Sequence, residues 1–429
     1  MSDKNQSNKQ ENKKTRFFVG RAFNKINNIY EDNLEKNDPA LTQPIHKEVE
    51  APRDTLMIRG GIDIYFLLIV IAISLFGIIM AYSASAYDAE HYMHDSLYYL
   101  KRHVGFLLLA LMGTIPFVIY GRPWAWKAIS IVVYIVSIIL LIAVLFVGRE
   151  GNGAQRWIQI GSITIQPSEI AKMSTVMLLA LIMSKHQDKL NVSQRFGGSF
   201  KYGVLYPGLA IAAVCGLVML EKHLSGLIII GLLGLTIMFL GGTEKKWMLL
   251  IIGAGIIAVG VILLFSGYAQ ERVKTWLDLK NADPTGPAWQ TWQGLYAIGS
   301  GGIFGVGLGN SRQKYGYVSE PQNDFIFTIV CEELGFIGAV VLIGLFVLLL
   351  WRGYVIASRA PDKFTSLVVY GLTTKVALQA ALNIAVVTNS MPNTGIALPF
   401  FSSGGTALML QIFEMGIILN ISRFSKVKK

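Results

Sequence analysis

Apolar residues in this chain gather into ten long runs, each interrupted by few charges and bounded by clusters of charged, Gly or Pro residues. They cover residues 62 to 82, 103 to 120, 127 to 148, 168 to 184, 204 to 220, 224 to 241, 247 to 266, 324 to 351, 366 to 388 and 402 to 421. A run of roughly 20 residues is what a helix needs to cross the hydrocarbon core, where every backbone polar group must be satisfied inside its own segment. The pattern predicts an all-α integral membrane protein of ten transmembrane helices, with a large outer loop at about 266–323, between the seventh and eighth spans.

Composition agrees: 53% of residues are hydrophobic and only 15% charged, with a mean hydropathy of +0.49, outside the usual soluble range. The first run follows about sixty polar residues and carries no small-residue cleavage site, so it reads as a retained span and not a signal peptide. Lys and Arg set the orientation. With the N-terminus cytoplasmic, inner loops and C-terminal tail hold fifteen of them and outer loops ten, half of the ten in the one long loop. Both termini are therefore expected in the cytoplasm. The net charge of +11 reads as this inner-surface bias, with no nucleic-acid partner.

Three regions follow: a cytoplasmic tail at 1–59, the ten-span domain at 60–425 and a short tail at 426–429. The first has eleven basic and nine acidic side chains and reads as largely disordered. Within it, Val19, Ala22, Phe23, Ile26, Ile29 and Tyr30 recur at helical spacing. A membrane-surface helix, a solvated tail and a partner-docking segment all fit that stretch.

In the long outer loop, Trp276, Trp289 and Trp292 suit an interface belt. The run "GSGGIFGVGLGNS" invites a nucleotide-loop reading, but it lacks the Gly-Lys-Ser/Thr ending. Tight turning at the membrane face suits it better, with exposed N–H groups still able to hold phosphate. Cys215 and Cys331 fall within spans and imply no disulfide. His91 and His94, beside Asp88 and Glu90, have a slight metal-ligand look, for which solvated loop residues are the simpler account.

Charges at membrane depth are costly and tend to be paired or functional. Lys375 and Glu414 lie roughly 20 and 18 Å below the outer ends of their spans, which predicts a structural ion pair. Glu169 and Lys172 share a helix face, and Glu169 could equally answer Arg156. In "EPQNDFIF", Asp324 stands at the outer boundary with Glu320 about one turn earlier and Arg312 and Lys314 just upstream. A carboxylate there can act on a polar head whose tail stays in lipid, or can cap the eighth helix.

Three blocks, "RWIQIGSITIQPSEIAK" (156–172), "AIGSGGIFGVGLGNSRQKYGYVSEPQNDFIFTIVCEELGFIGA" (297–339) and "PNTGIALPFFSSGGTALML" (392–410), closely resemble the signature regions of the SEDS family, the FtsW, RodA and SpoVE proteins of bacterial wall synthesis. The likeness extends over residues 60 to 425, and "SRQKY" followed by "EPQNDFIF" resembles the division and sporulation branch more than the elongation branch. Departures are "YVSEPQ" for Tyr-Leu-Pro-Glu, "EKHLSG" (221–226) for Glu-Pro-Asp-Leu-Gly, and "FFSSGG" where a Tyr usually precedes the glycines.

The resemblance implies a peptidoglycan glycosyltransferase that polymerises lipid II at the outer membrane face, FtsW-like, in septal wall synthesis. Its implied partners are a class B penicillin-binding protein and other division membrane proteins. Asp324 matches the family's essential acid, and Arg156, Trp157, Gln166, Pro167, Ser168 and Glu169 match its "RW" and "QPSE" motifs. The chemistry is consistent: one base takes the acceptor proton, while leaving pyrophosphate needs positive charge. Asp324 is expected to be that base, or to hold the metal or hydroxyl that does the work. Arg156, Lys172, Arg312 or Lys314 is expected to neutralise pyrophosphate, directly or beside Mg²⁺ or Mn²⁺, with Gln166, Ser168, Glu169 and Glu320 as further substrate contacts. A lipid II flippase and a non-enzymatic scaffold are the rival functions.

Overall fold

The computed structural model describes residues 58–151, 154–161, 163–190, 198–283, 288–319, 321–402 and 405–425. The chain divides into two units, Met1–Thr55 and Leu56–Lys429, and the described residues all belong to the second. The segment at 16–30, Glu320 and the tail 426–429 lie outside them.

Among the described residues, ten helices are long and apolar enough to cross a membrane. They are α1 (Ile64–Met93), α2 (Tyr98–Tyr120), α3 (Ala125–Val147), α4 (Pro167–Lys185), α5 (Lys201–Leu220), α6 (Leu224–Gly241), α7 (Lys245–Phe265), α10 (Ile326–Arg359), α11 (Lys363–Val387) and α12 (Gly405–Ser422). Two shorter helices, α8 (Gly267–Leu277) and α9 (Ala288–Gly301), occupy the long connection between the seventh and eighth spans. Helix α1 runs well past residue 82, so Asp88, Glu90 and His91 ride on its last turns, with His94 at its left-handed C-cap. Hydropathy marks only the lipid-embedded part of a helix, and these polar turns project beyond it.

The connection between α3 and α4 is a small antiparallel sheet, absent from the all-α expectation. Strands β2 (Arg149–Gly151), β3 (Ala154–Ile160) and β4 (Ile163–Ile165) pair in that order, with Ile158 opposite Ile165 and Ile160 opposite Ile163. Thr406 on α12 donates to the Thr164 carbonyl at 2.6 Å and ties the sheet to the bundle. At the opposite end, β1 (Ile58–Arg59) pairs with β5 (Phe424–Ser425), so the first and last described segments clasp each other. That end is further fixed by Arg352, which grips the Asp63 carboxylate at 2.8 to 3.1 Å, and by an Asp362–Thr365 capping box at the start of α11.

Helices α4, α11 and α12 form the interior, with about 70% of their apolar windows buried, whereas α7 has 6% buried. The inner helices carry small residues where backbones meet, such as Gly371 against Val176 and Gly416 against Thr114. Without a hydrophobic drive between helices in lipid, such close approach is what holds them. Beyond its first turn, α7 is apolar all round, mostly Leu, Ile, Val, Ala and Gly, and offers its length to lipid.

Helix α10 is broken at Gly335, whose φ of 66° and ψ of −164° are not helical. The break frees the carbonyls of Glu332 and Glu333, and the Gly-rich run supplies the N–H groups of Val306 and Gly307 to them at 2.9 and 3.0 Å. In return, Phe336 and Ile337 donate to the carbonyls of Gly302 and Ile303 at 2.9 and 3.2 Å. Non-helical backbone at membrane depth survives only with such internal partners. Two of the N–H groups open to phosphate on the sequence reading are therefore spent on the kink.

Candidate functional site

Asp324 immediately precedes Phe325, the N-cap of α10. The carboxylate does not occupy the cap itself. Asn383, fully buried on α11, donates to the main-chain carbonyl of Asp324 at 2.7 Å and to that of Ile396 at 2.6 Å. It thereby joins the start of α10 to the segment between α11 and α12. Gly395 lies in that segment with φ 67°, and a Cβ on it would stand 3.1 Å from Asp324 Oδ2. The loop backbone thus lies directly against the carboxylate, in a conformation glycine adopts without strain.

Asp324 opens onto a cavity of about 670 Å³. Arg156 and Trp157 from β3, Gln166, Glu169 and Lys172 at the start of α4, His223 before α6 and Arg272 on α8 share its wall. Pro167 at the first position of α4 suits a helix start, because its missing N–H has no partner to lose there. Arg272 donates to the Asn393 carbonyl, and Gln290 on α9 donates to Ser319 O at 2.9 Å, so the two short helices are pinned over the site. The three tryptophans do the same work. Trp276, Trp289 and Trp292 donate to the carbonyls of Asn389, Tyr317 and Leu279 at 3.0, 2.8 and 3.2 Å.

Beneath the cavity, four buried charges form one chain. Lys172 Nζ is 2.6 Å from Glu169 Oε1, Lys375 Nζ is 3.6 Å from Glu169 Oε2, and Lys375 Nζ is 2.6 Å from Glu414 Oε1. The Lys375–Glu414 pair is therefore part of a neutral quartet that joins α4, α11 and α12. Arg156 turns elsewhere, donating through Nη2 to the Lys222 carbonyl at 2.6 Å.

Arg312 and Lys314, expected near Asp324, do not line this cavity. Lys314 is buried in a separate cluster, 3.1 Å from Glu333 Oε1 and 2.6 Å from the Gly309 carbonyl, and Ser83 donates to the same carboxylate at 2.6 to 2.7 Å. The Arg312 side chain is exposed, while its main-chain N–H donates to Glu332 Oε1 at 2.9 Å. Carboxylates two turns into α10 draw this loop onto themselves, and Arg272 supplies the third cavity cation. Ser168 is fully buried but off the cavity wall, and Glu320 lies outside the described residues.

His223, Arg272, Asn383 and Gly395 were not singled out as site residues from sequence. "EKHLSG" was visible only as a departure, and the "PNTGIALP" block was visible as a motif without roles. Burial of the turn between α5 and α6 pushes the Glu221 carboxyl up to about 8, against the pull of Arg156, and pushes the His223 imidazole down to about 3, with Arg156 and Lys172 adding to the fall. At neutral pH Glu221 and His223 thus add little charge beside a wall that carries three cations. Among the described residues no three His, Cys, Asp or Glu side chains stand together as a metal cage.

Such a cavity, one carboxylate at its mouth facing guanidinium and ammonium groups, suits an anionic, hydroxyl-rich ligand. Comparison with known proteins points the same way. Residues 63–427 match the cell cycle protein family FtsW/RodA/SpoVE. The chain is 36% identical over 365 residues to "Probable peptidoglycan glycosyltransferase FtsW" of Trichlorobacter lovleyi, covering 84% of this chain and 93% of that protein. It is 38% identical over 370 residues to "Stage V sporulation protein E" of Bacillus subtilis, covering 85% and 98%. A solved chain from a study of "polymerization and crosslinking by a peptidoglycan synthase complex" superposes with a TM-score of 0.70 at 26% identity, over 84% of this chain and 98% of that one. The rod shape determining protein RodA of Thermus thermophilus gives 0.62 at 25%, over 86% and 98%. With ten apolar helices and this match along nearly all of the described chain, the protein is a multi-pass membrane protein that belongs to the FtsW/RodA/SpoVE family.

Proposed function

We propose that the chain is a peptidoglycan glycosyltransferase that polymerises lipid II at the outer face of the cytoplasmic membrane, both termini lying in the cytoplasm. The observation that carries this is the single cavity wall on which Asp324 meets Arg156, Lys172 and Arg272. The acceptor's 4-hydroxyl oxygen attacks the donor's anomeric carbon, Asp324 takes its proton, and the bond from that carbon to the diphosphate oxygen breaks with inversion. The three cations offset the charge on the departing diphosphate, and Gln166 and Glu169 lie within the same wall for the sugars.

A divalent cation fits this arrangement from the substrate side. Mg²⁺ or Mn²⁺ commonly binds through one or two carboxylates plus substrate phosphates, and Asp324 with the diphosphate offers that set. When bound it would add positive charge at the leaving group.

A class B penicillin-binding protein, which crosslinks the new strand, is the proposed partner, and the septum the proposed location. The named relatives support both division and sporulation readings, and the FtsW-like reading is the one we adopt. The flippase reading finds less support, because the deep charges of the quartet are held in ion pairs that join three helices, whereas alternating access needs a polar path through the bundle. The test is strand synthesis from labelled lipid II by the purified protein with its class B partner, read as glycan ladders on a gel. Ladders are expected. Their absence from folded, partner-bound protein would remove the proposal and favour a flippase or scaffold.

A further inference from the structure

The turn between α5 and α6 has no part in the reaction as written, yet it is built at some cost. Lys222 adopts φ 55°, a left-handed conformation disfavoured for any residue with a Cβ. Such strain persists where the surroundings fix it, and it clusters at functional positions. Here it turns the Lys222 carbonyl to Arg156 Nη2 and delivers the next residue, His223, to the cavity wall.

His223 is 6% exposed, and its Nδ1 has no hydrogen-bond partner among the described residues. It lies over Gly226, where a Cβ would stand 2.8 Å from that nitrogen, so the sequence keeps the space open for the ring. Arg156, Lys172 and Glu169 face it. Arg156 Nε is also buried and unpartnered, as are Gln379 Oε1 and Thr394 Oγ1 on the same cavity. Several residues of this wall therefore keep hydrogen-bonding capacity that the protein itself does not use.

We infer that His223 is a substrate-contacting residue that donates a hydrogen bond from its neutral imidazole to a diphosphate oxygen held beside Arg156. This deepens, and rests on, the polymerase reading of the cavity. A carboxylate at this position would meet a phosphate oxygen only across a shared cation. Histidine meets it directly. Binding of the diphosphate group by this chain is therefore expected to need no added metal, whereas an acid at this position would restore that need.

The experiment measures binding of undecaprenyl diphosphate to the full chain in detergent micelles at pH 7, with EDTA or with Mg²⁺, for wild type, His223→Asp, His223→Asn and His223→Ala. Wild type is expected to bind in EDTA as well as in Mg²⁺, gaining from the cation only what Asp324 and the diphosphate together can hold. His223→Asp should bind about tenfold more weakly in EDTA and recover most of that loss with Mg²⁺. His223→Ala should lose about as much as the Asp variant in EDTA but gain no more from Mg²⁺ than wild type does, and His223→Asn, which keeps a neutral donor, should stay within about threefold of wild type. A residue that merely packs would not produce a metal-dependent rescue confined to the acid variant. Equal affinities for all four proteins in EDTA, or wild-type binding that vanishes without Mg²⁺, would overturn the inference. Because binding is read without turnover, it is decided separately from strand synthesis: ladders with unaffected His223→Asp binding would remove this inference alone, while tight His223-dependent binding without ladders would remove the polymerase reading.

Discussion

Lys375 is fully buried between two carboxylates, and removing one partner of a buried pair leaves a charge that nothing offsets. Lys375→Met is expected to cost about 3–5 kcal/mol. Combining it with Glu414→Leu should recover most of the loss, because Glu169 keeps Lys172. Denaturant unfolding in detergent reads both variants, and a single variant as stable as wild type would deny the quartet its role in joining α4, α11 and α12. Glu221 makes a second residue-scale prediction. Its folded pKa of about 8 lies above the ordinary 4.5, so between those values the folded state holds a proton that the unfolded chain has released. Stability contributed by the protonated carboxyl is present below about 4.5 and is lost as pH rises through 8. The thermal midpoint of wild type relative to Glu221→Gln should therefore fall as pH goes from 5.5 to 8.5. At this scale the sequence was legible where a residue's chemistry is unusual for its depth: Lys375, Glu414 and Asp324 stand out in apolar runs. Arg272 and His223 did not, since nothing local distinguishes a loop cation or a loop histidine that faces a cavity from one that faces water.

The two glycine positions govern elements. A Cβ at Gly335 would stand 2.4 Å from the Gly305 nitrogen and the Ile303 oxygen, and neither backbone atom can withdraw without disturbing the four hydrogen bonds that brace the broken helix. Gly335→Ala is expected to destabilise by more than about 2 kcal/mol. Gly395→Ala is milder for the fold, roughly 1–2 kcal/mol for the left-handed φ. Its Cβ presses on Asp324, so strand synthesis should fall about tenfold or more while the thermal midpoint moves only a few degrees. The reverse ranking, with Gly335→Ala harmless and Gly395→Ala unfolded, would contradict the roles assigned to the two segments. Glycine-rich composition made the turns legible in sequence. It could not name Glu332 and Glu333 as the backbone partners, because that pairing is set by a kink some thirty residues along the chain. The sheet at 149–165 was missed for a related reason: strands this short, between two spans, are hard to tell from loop until they pair.

At the scale of the whole molecule, the bundle was the most legible feature, because lipid imposes a length and a composition on each span independently of its neighbours. The inner and outer helices were less so, since apolar residues face both lipid and protein. Burial now separates them. Ile256 and Ile257 on α7 are each 68% exposed, whereas Met177 on α4 is 1% exposed. Met177→Ala should cost about 2–5 kcal/mol through lost packing, and Ile256→Ala with Ile257→Ala should leave the detergent thermal midpoint nearly unchanged.

On the proposed function, Asp324 does chemistry and is not a helix cap. The most direct measurement is the rate of strand synthesis from lipid II by Asp324→Asn, set beside wild type, with the thermal midpoint and undecaprenyl diphosphate affinity of each recorded. Loss of the base should slow synthesis by about 10²–10⁴-fold with the midpoint unchanged and binding retained. An Asp324→Asn protein that polymerises at the wild-type rate would contradict the account.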